Sequence, residues 1–503
     1  MSSDLNKEEY MEFYGSWNIQ EIDSIGKCYI NEKKSINLVL DDINRCVNVI
    51  PKIHGKTNEG NVILLNSHLT EIIPRKTQYF SEYAIFTKGI YSEEINLNSG
   101  FYSVKYKLKN LEKWLSIPKF KNLDLDERKA DYIENKFEKN NLIELNNIEK
   151  IYLIDTSEIK VYIEYEKNLN KYLVEKEGNL NSFYYEPYIK IEYANEKRLF
   201  EIDTDVLMIN RFFSLLIGFA DEIPYYYVSN LTINSKVYSR FLFECNLGNK
   251  RGFEEKYFME YELIKKNINS LFLSWKTLYE DKSYKLILDY YFSSNSSIIE
   301  DRYLLVCKAL ESMYNKENII MDIDKQINTD VKVNEIKQIL FHDPIIKKNM
   351  KDFIINNNLA NKSKSAQDYI NGVPRALLDY FCDKYLNKTT FGAKVEKFDE
   401  FQIYNNKFKE NDVYTAGFNN IYDYTGQTRN YFTHLSKKEN TFKDDKLIKY
   451  IMIMNLIFLN KLLEKIGLDE NKRRIVILDN ESYMMINIDY KTRRVIILII
   501  QKV

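Results

Sequence analysis

The chain has 503 residues, of which 45% are apolar and 14% aromatic, enough to bury the cores of more than one domain. Lysine and arginine total 72 against 73 aspartate and glutamate residues, so the net charge of -1 excludes a globally basic nucleic-acid-binding protein. A site for a polyanion therefore has to be a local patch. Five cysteines without CxxC spacing indicate neither a disulfide framework nor a zinc site, and they fit a reducing compartment.

Nothing in the sequence predicts export or membrane insertion. The first residues, MSSDLNKEEYMEF, are acidic and polar where a signal peptide is basic and then apolar. The apolar runs at 451–460 and 495–500 are shorter than the ~20 residues that a bilayer requires, so we interpret them as a buried helix and a buried strand. We therefore expect a cytoplasmic protein with no membrane partner.

Residues 1–250 are predicted to form a mainly antiparallel β domain. Seven segments alternate apolar and polar residues or cluster β-branched and aromatic ones. These segments are 35–42, 61–69, 101–110, 158–168, 181–195, 224–233 and 237–247. Helical spacing at 204–224 predicts one helix in this domain, with Thr204 or Asp205 as its N-cap and Gly218 near its end.

After residue 250 the hydrophobic period changes to 3.6 residues, which predicts an all-α domain over 251–470. The predicted helices are 258–279, 298–314, 366–386 and 446–467. The tail, 471–503, returns to three short strand-like runs, and an exposed VIILII edge would aggregate unless it folded back onto the body or onto a second subunit. The expected fold class is α+β multidomain: an antiparallel β domain, a helical bundle and a short β tail.

The stretch TGQTRNYFTHLSKKEN at 425–440 is the main candidate for chemistry. It contains His434, one of four histidines, five residues after Arg429, which Asn430 follows directly. Cleavage of RNA without a metal needs a base for the ribose 2′-OH, a cation for the phosphate and a positioning donor. His434 titrates near neutral pH, Arg429 can donate two hydrogen bonds to phosphate, and Asn430 offers an amide. Because this spacing also arises by chance, an exposed, helix-capping histidine is the alternative interpretation.

Helix geometry limits how these three side chains can meet. Asn430 and His434 are four residues apart and share a face, whereas Arg429 is turned by about 140° from His434. A cleft shared by two subunits would let groups from both chains reach one phosphate.

Short motifs resemble a known family. RNYFTH at 429–434 resembles the Arg-polar-x3-His signature of HEPN ribonucleases. The segment at 298–317, with Ala-Leu-Glu at 309–311, resembles the first core helix of HEPN domains in the ApeA-type antiphage family. Three segments resemble the N-terminal domain of that family: 13–30, 53–65 and 211–224. The tail at 473–503 has no counterpart in the resemblance.

The resemblance implies a homodimeric endoribonuclease, a toxin of abortive infection that cuts RNA through 2′-OH attack without a metal or cofactor. Arg429 and His434 would be the catalytic pair and Asn430 the assisting residue. Glu311 borders the apolar stripe of its helix and could orient Arg429, although a solvated edge carboxylate is the alternative. The N-terminal domain would sense a phage-derived trigger or restrain the nuclease. Transfer RNA is the first candidate target, because its exposed loops offer unstacked single strands.

Two other classes of function stay open from the sequence. One is a non-catalytic HEPN module that binds a partner protein or nucleic acid, and the other is a β-domain binding protein with a helical scaffold. His54 and His68 lack a recognised metal-ligand spacing, so we interpret them as structural residues. His342, beside Asp343 and Pro344 at a predicted helix end, is interpreted as a capping or turn residue. Lysines at 342–352 and 434–440 form local basic patches that could follow an RNA backbone, although solvated helix faces are the commoner case.

Overall fold

The structure is a computed structural model, and contacts divide the chain into two compact units. Unit 1 comprises Met1–Tyr279 and Ile466–Leu468, and unit 2 comprises Glu280–Lys465 and Asp469–Val503. The residues that the structure describes are 11–30, 35–41, 47–58, 60–73, 76–87, 100–108, 110–115, 150–168, 184–218, 223, 225–230, 234–245, 258–294, 298–317, 344–345, 348–349, 352, 390–403, 421–434, 444–479, 486–489 and 494–497.

Unit 1 is built on one antiparallel sheet of twelve strands, which confirms the predicted β-rich first half. The strands are β1 (Met11–Ile19), β2 (Ile22–Ile30), β3 (Ile36–Asp41), β4 (Val49–Thr57), β5 (Gly60–Ile73), β6 (Lys76–Thr87), β7 (Phe101–Tyr106), β8 (Ile151–Asp155), β9 (Ile159–Asn168), β10 (Tyr184–Lys197), β11 (Tyr226–Ser229) and β12 (Asn234–Ser239). Their order is β3-β2-β1-β4-β5-β6-β12-β11-β7-β10-β9-β8. All of their pairings are antiparallel, as alternating sequences with one solvated face require.

The first six strands form a closed sheet, because β3 pairs with β2 on one side and with β6 on the other. Trp17 on β1 is fully buried inside it, and its indole N–H donates to the Gly26 carbonyl at 3.1 Å. Gly55 on β4 lies against the Trp17 ring so closely that a Cβ at this position would overlap the ring atoms. The closed sheet therefore depends on a glycine where the largest side chain fills its core.

The helices of unit 1 are α1 (Leu111–Trp114), α2 (Leu199–Ile217), α3 (Arg240–Cys245), α4 (Tyr261–Ile264) and α5 (Ile268–Glu280). α5 packs on α2, where Trp275 donates its indole N–H to the Met208 carbonyl at 3.0 Å and the Phe212 and Phe272 rings are 4.9 Å apart. Trp114 of α1 donates likewise to the Met259 carbonyl, at 2.6 Å. All three tryptophans of the chain therefore lie buried in unit 1, each with its N–H satisfied.

α2 begins earlier than its predicted start at Thr204 or Asp205. Its N-cap is Arg198, whose backbone N–H donates to Glu201 Oε2 at 3.0 Å. This glutamate at the third helical position satisfies an amide that the helix leaves without a partner, so the N-cap lies six or seven residues before the predicted one. Gly218, at φ 95°, ends the helix in the left-handed conformation that its position predicted.

The prediction of one strand over 237–247 is wrong in its second half. β12 ends at Ser239, and residues 240–245 form α3. Leu242 is buried on this helix, and the Arg240 guanidinium lies 4.3 Å from the centre of the Phe80 ring on β6. Packing of the short helix on the sheet therefore outweighs the strand propensity of its aromatic residues.

The predicted helix over 258–279 is interrupted, because α4 and α5 are separated by a turn at 265–267. The Asn267 backbone N–H donates to the Ile264 carbonyl at 2.8 Å within this turn. The apolar spacing continues through it, so Ile264 and Ile268 are both buried although the helix breaks between them.

Unit 2 is helical, as predicted. The helices among its described residues are α6 (Lys282–Ser293), α7 (299–317), α8 (Phe391–Phe398), α9 (Ile421–His434), α10 (Asp444–Lys465) and α11 (Glu470–Arg474). The rings of Tyr291 on α6 and Phe458 on α10 stack with centroids 4.6 Å apart. Lys465 Nζ of α10 lies 3.2 Å from Glu317 Oε1 of α7. The predicted helix at 366–386 lies outside the described residues.

The start of the tail is helical and not a strand. A π-helix, Ile475–Asp479, continues from α11, while the later runs form the hairpin strands β13 (Ile486–Asp489) and β14 (Arg494–Ile497). Arg473 is buried, with Nη1 2.9 Å from Asn460 Oδ1 and 3.2 Å from Glu400 Oε2. These polar contacts fix the segment on α10, so its apolar residues continue as a helix.

The apolar run at 451–460 lies within α10, as predicted for a buried helix. The run at 495–500 begins in β14, and the rest of it lies outside the described residues. In the part of the chain that the structure describes, no helix has the length and apolar character needed to span a membrane.

Candidate active site

α9 carries the Arg-Asn-His stretch and has a clear inner face. Tyr422, Thr425 and Thr428 recur every three residues and are buried. Gln427 and Asn430 are exposed on the other side of the helix. Arg429 lies at the border of the two faces with 29% of its side chain exposed, so part of it reaches solvent while the rest packs against protein.

α7 is held against α9 through one tyrosine. The Tyr303 hydroxyl donates to the backbone carbonyl of Thr425 at 2.7 Å, and the rings of Tyr303 and Phe432 are 5.8 Å apart. Tyr303 precedes Glu311 by eight residues, so both lie on one face of α7. Tyr303 therefore fixes α7 against the part of α9 that contains Arg429.

The structure brings Glu311 and Arg429 together, 118 residues apart in sequence. Arg429 Nη2 lies 3.1 Å from Glu311 Oε2. Arg429 Nη1 is 3.4 Å from Oδ1 of Asn430, its neighbour in sequence. The orienting interpretation of Glu311 requires this geometry, which an ion pair at a partly solvated surface also produces. Its catalytic role stays a prediction.

His434 is the last residue of α9, and its side chain lies outside the described part of the structure. Its backbone follows Asn430 by one helical turn, as the four-residue spacing predicted. The structure therefore brings Arg429, Asn430 and Glu311 together by side-chain contact, and it fixes His434 only to the same helix.

The sequence analysis did not predict one further cation at this site. Lys394 of α8 places Nζ 3.1 Å from Glu311 Oε1 and 3.0 Å from Asn315 Oδ1. Glu311 thus lies between two cations, with one carboxylate oxygen toward each. Lys394 has no spacing relation to the Arg-Asn-His stretch, and only the capping Thr390 before a short amphipathic run marks its helix in the sequence.

Cys307 of α7 lies one turn before Glu311 and is buried. Burial raises the pKa of its thiol well above its ordinary value, and this effect exceeds the opposing influences of Tyr303 and of the Arg429 guanidinium. The thiol therefore stays protonated at neutral pH and offers no nucleophile to the site.

Two of the other three histidines belong to unit 1. His54 and His68 are exposed on β4 and β5, and His342 lies outside the described residues. Among the described residues, no group of three or more His, Cys, Asp or Glu side chains is arranged to hold a metal ion. Most of the two predicted basic patches, 342–352 and 434–440, likewise falls outside the described residues.

A helical domain that presents an Arg-polar-x3-His stretch on one helix, with a β-rich domain before it, defines the class of HEPN proteins with an N-terminal β domain. Comparison with protein families agrees on both parts: the model described as ApeA N-terminal domain 1 matches residues 12–275, and the model described as Apea-like HEPN matches residues 287–472. The chain belongs to the ApeA-type HEPN family. Comparisons with curated proteins and with solved structures found no match.

The family places the chain among HEPN proteins of antiphage defence. HEPN domains are in general ribonucleases that form dimers and act on RNA. The domain limits 1–250, 251–470 and 471–503 stay a prediction.

Proposed function

We propose that the chain is a homodimeric, metal-independent endoribonuclease that works in the cytoplasm and halts phage infection by cutting RNA. The observation that carries the proposal is the ion pair between Glu311 and Arg429. Arg429 lies on α9, the helix that ends at His434. Arg429 is held by Glu311 through Nη2 and, at a longer distance, by Asn430 through Nη1, and it is partly exposed, which suits a group that has to donate to a phosphate from water.

In the proposed reaction the 2′-oxygen of a ribose attacks the adjacent phosphorus while His434 removes the 2′-OH proton. The bond from phosphorus to the 5′-oxygen breaks, and that oxygen takes up a proton from His434 of the partner subunit. Arg429 donates to a non-bridging oxygen as negative charge builds on the phosphate, and Asn430 positions the same group. The products carry a 2′,3′-cyclic phosphate and a 5′-hydroxyl, so no water and no metal enters this step.

The β-rich domain is proposed to sense a phage-derived trigger or to restrain the nuclease until infection. Transfer RNA is the proposed first target, because stacking and pairing protect most other positions of a structured RNA and leave its loops open. Both assignments extend the proposal beyond the site itself.

The first test is cleavage of total RNA and of transfer RNA by the purified chain with and without EDTA. We expect cleavage that EDTA does not reduce, and a loss of at least about a hundredfold in Arg429→Ala and in His434→Ala, the usual effect of removing a charged or acid–base group. Arg474→Ala and His68→Ala are matched controls, because Arg474 pairs with Glu470 on the surface and His68 is exposed on β5. An absolute metal requirement would contradict the mechanism.

The same variants can be compared in cells during phage challenge, with small RNA resolved on a gel. Protection and RNA fragments should disappear together in Arg429→Ala and His434→Ala and persist in both controls. Protection that survives in both site variants without fragments would instead favour the non-catalytic binding module.

A further inference from the structure

The carboxylate of Glu311 is shared by two cations. Oε2 faces Arg429 Nη2 at 3.1 Å, and Oε1 faces Lys394 Nζ, also at 3.1 Å. Lys394 is more enclosed than Arg429, with 14% of its side chain exposed against 29%. The three groups together carry one net positive charge, whereas Arg429 and Glu311 alone would be neutral.

The sharing of the Glu311 carboxylate between two cations affects what Arg429 can bind. A carboxylate and a guanidinium readily form two parallel hydrogen bonds, and a carboxylate beside an arginine opposes the approach of a phosphate. Lys394 holds Oε1 away from Arg429, so that Glu311 engages the guanidinium through Nη2. It also offsets the charge of Glu311 next to the place where a phosphate would bind.

Lys394 is held in place by its own helix. Thr390 caps α8 by accepting the Ala393 backbone N–H at 3.2 Å, and Asn315 of α7 accepts a second hydrogen bond from Lys394. α8 lies close to α9, because a Cβ on Gly426 would lie 3.6 Å from the Gly392 backbone nitrogen, an ordinary contact distance. The lysine therefore sits at a fixed place between α7 and α8 and is not a freely moving surface cation.

We propose that Lys394 is a positioning residue of the nuclease site, which acts through Glu311 to keep Arg429 open toward the scissile phosphate. The inference rests on the proposed function for its substrate, an RNA phosphodiester. Lys394 itself makes no contact with the substrate in this proposal.

The test is a double-mutant cycle on Lys394 and Glu311, measured as kcat and KM for a fluorescent RNA. Lys394→Gln should lower kcat by on the order of tenfold to a hundredfold, the effect of losing one charge-assisted hydrogen bond, and Lys394→Arg should restore most of it. In a Glu311→Gln background the same lysine substitution should cause little further loss. Lys397→Gln is the matched control, because Lys397 lies on the same helix and its Nζ is 2.9 Å from the Tyr314 hydroxyl.

Two results would overturn the inference. Equal losses from Lys394→Gln in both backgrounds would mean that the lysine does not act through Glu311. A rise in KM alone, matched by Lys397→Gln, would mean that it only adds to a general attraction for RNA. Thermal unfolding of each variant identifies any loss that comes from instability, and Lys394→Arg supplies a folded comparison.

A failure of the proposed function gives a different pattern. If the unsubstituted chain does not cleave RNA, the cycle is repeated on the binding of a fluorescein-labelled single-stranded RNA by anisotropy. Coupling of Lys394 to Glu311 in affinity would then uphold the positioning role without cleavage. RNA that is neither cut nor bound would overturn both the proposed function and the inference.

Discussion

Asp203 of α2 is a carboxylate without access to water. It accepts hydrogen bonds from the hydroxyls of Tyr83 at 2.8 Å, Tyr226 at 2.8 Å and Ser239 at 2.7 Å. Burial raises its pKa from 3.8 to about 6, and the three hydrogen bonds oppose this effect. The folded protein therefore binds more protons here than the unfolded chain between these two values, so the free energy of unfolding falls as pH rises from about 4 to about 6.

Asp203→Asn should remove this pH dependence, because an amide has no charge to bury. The raised pKa corresponds to about 3 kcal/mol of unfolding free energy. When unit 1 is unfolded in urea at pH 4 to 7, this free energy should therefore fall with pH more steeply in the unsubstituted chain than in Asp203→Asn. Tryptophan fluorescence is the readout, since all three tryptophans lie in unit 1. Asp155→Asn is the matched control on the exposed end of β8. If the unfolding free energy of Asp203→Asn depends on pH as it does in the unsubstituted chain, the Asp203 carboxylate is not the source of that dependence.

The residues of the site differ in how far the sequence could predict them. Arg429, Asn430 and His434 stand in one short stretch, so helix periodicity and resemblance single them out. Glu311 came from the edge of an apolar stripe on another helix, and the ion pair with Arg429 agrees with that interpretation. Lys394 could not be predicted, because its relation to Glu311 exists only through the packing of α8 on α7.

At the scale of elements, replacing each of two glycines by alanine should change stability in opposite directions. Gly55→Ala should destabilise unit 1 by about 1–3 kcal/mol or more, because the new methyl group overlaps the buried Trp17 ring. Gly426→Ala should stabilise α9 by about 0.5–1 kcal/mol, since its nearest neighbour leaves room for a Cβ and alanine favours a helix. Each variant serves as the control for the other.

The measurement is urea unfolding followed by tryptophan fluorescence for unit 1 and by far-ultraviolet circular dichroism for the whole chain. Only Gly55→Ala should lower the midpoint seen by fluorescence. An equal loss in both variants would mean that the local space around each glycine does not decide the outcome.

The boundaries that the sequence misplaced have two physical causes. Hydrophobic periodicity predicted that α2 and β12 exist, but it does not fix the residue at which an element begins or ends. Glu201 extends α2 upstream through a local capping contact with Arg198, which carries no hydrophobic period. β12 ends at Ser239 because the following residues pack on the sheet as α3, and Arg473 binds the start of the tail to α10 through Asn460. These last two boundaries depend on contacts with other elements, so a local reading of the sequence cannot find them.

At the scale of the whole molecule, the contacts within unit 1 extend through α5 to Tyr279. A fragment of residues 1–280 should therefore unfold cooperatively, whereas 1–250 should be less stable, because it lacks Trp275 and Phe272 and exposes their partners on α2. Urea unfolding by fluorescence compares the two fragments directly, with the full chain as reference. Equal stability of both would support the limit predicted near residue 250.

The closure of β1 to β6 limits how the sheet could pair with other chains through β8. Among the described strands, every strand of the twelve-stranded sheet except β8 has a neighbour on both sides, because β3 pairs with β2 and with β6. In the language of polymer chemistry, a sheet with two free edges is a bifunctional monomer and can add units without limit, as in a fibre. A sheet with one free edge is monofunctional, so pairing through β8 would stop at two chains.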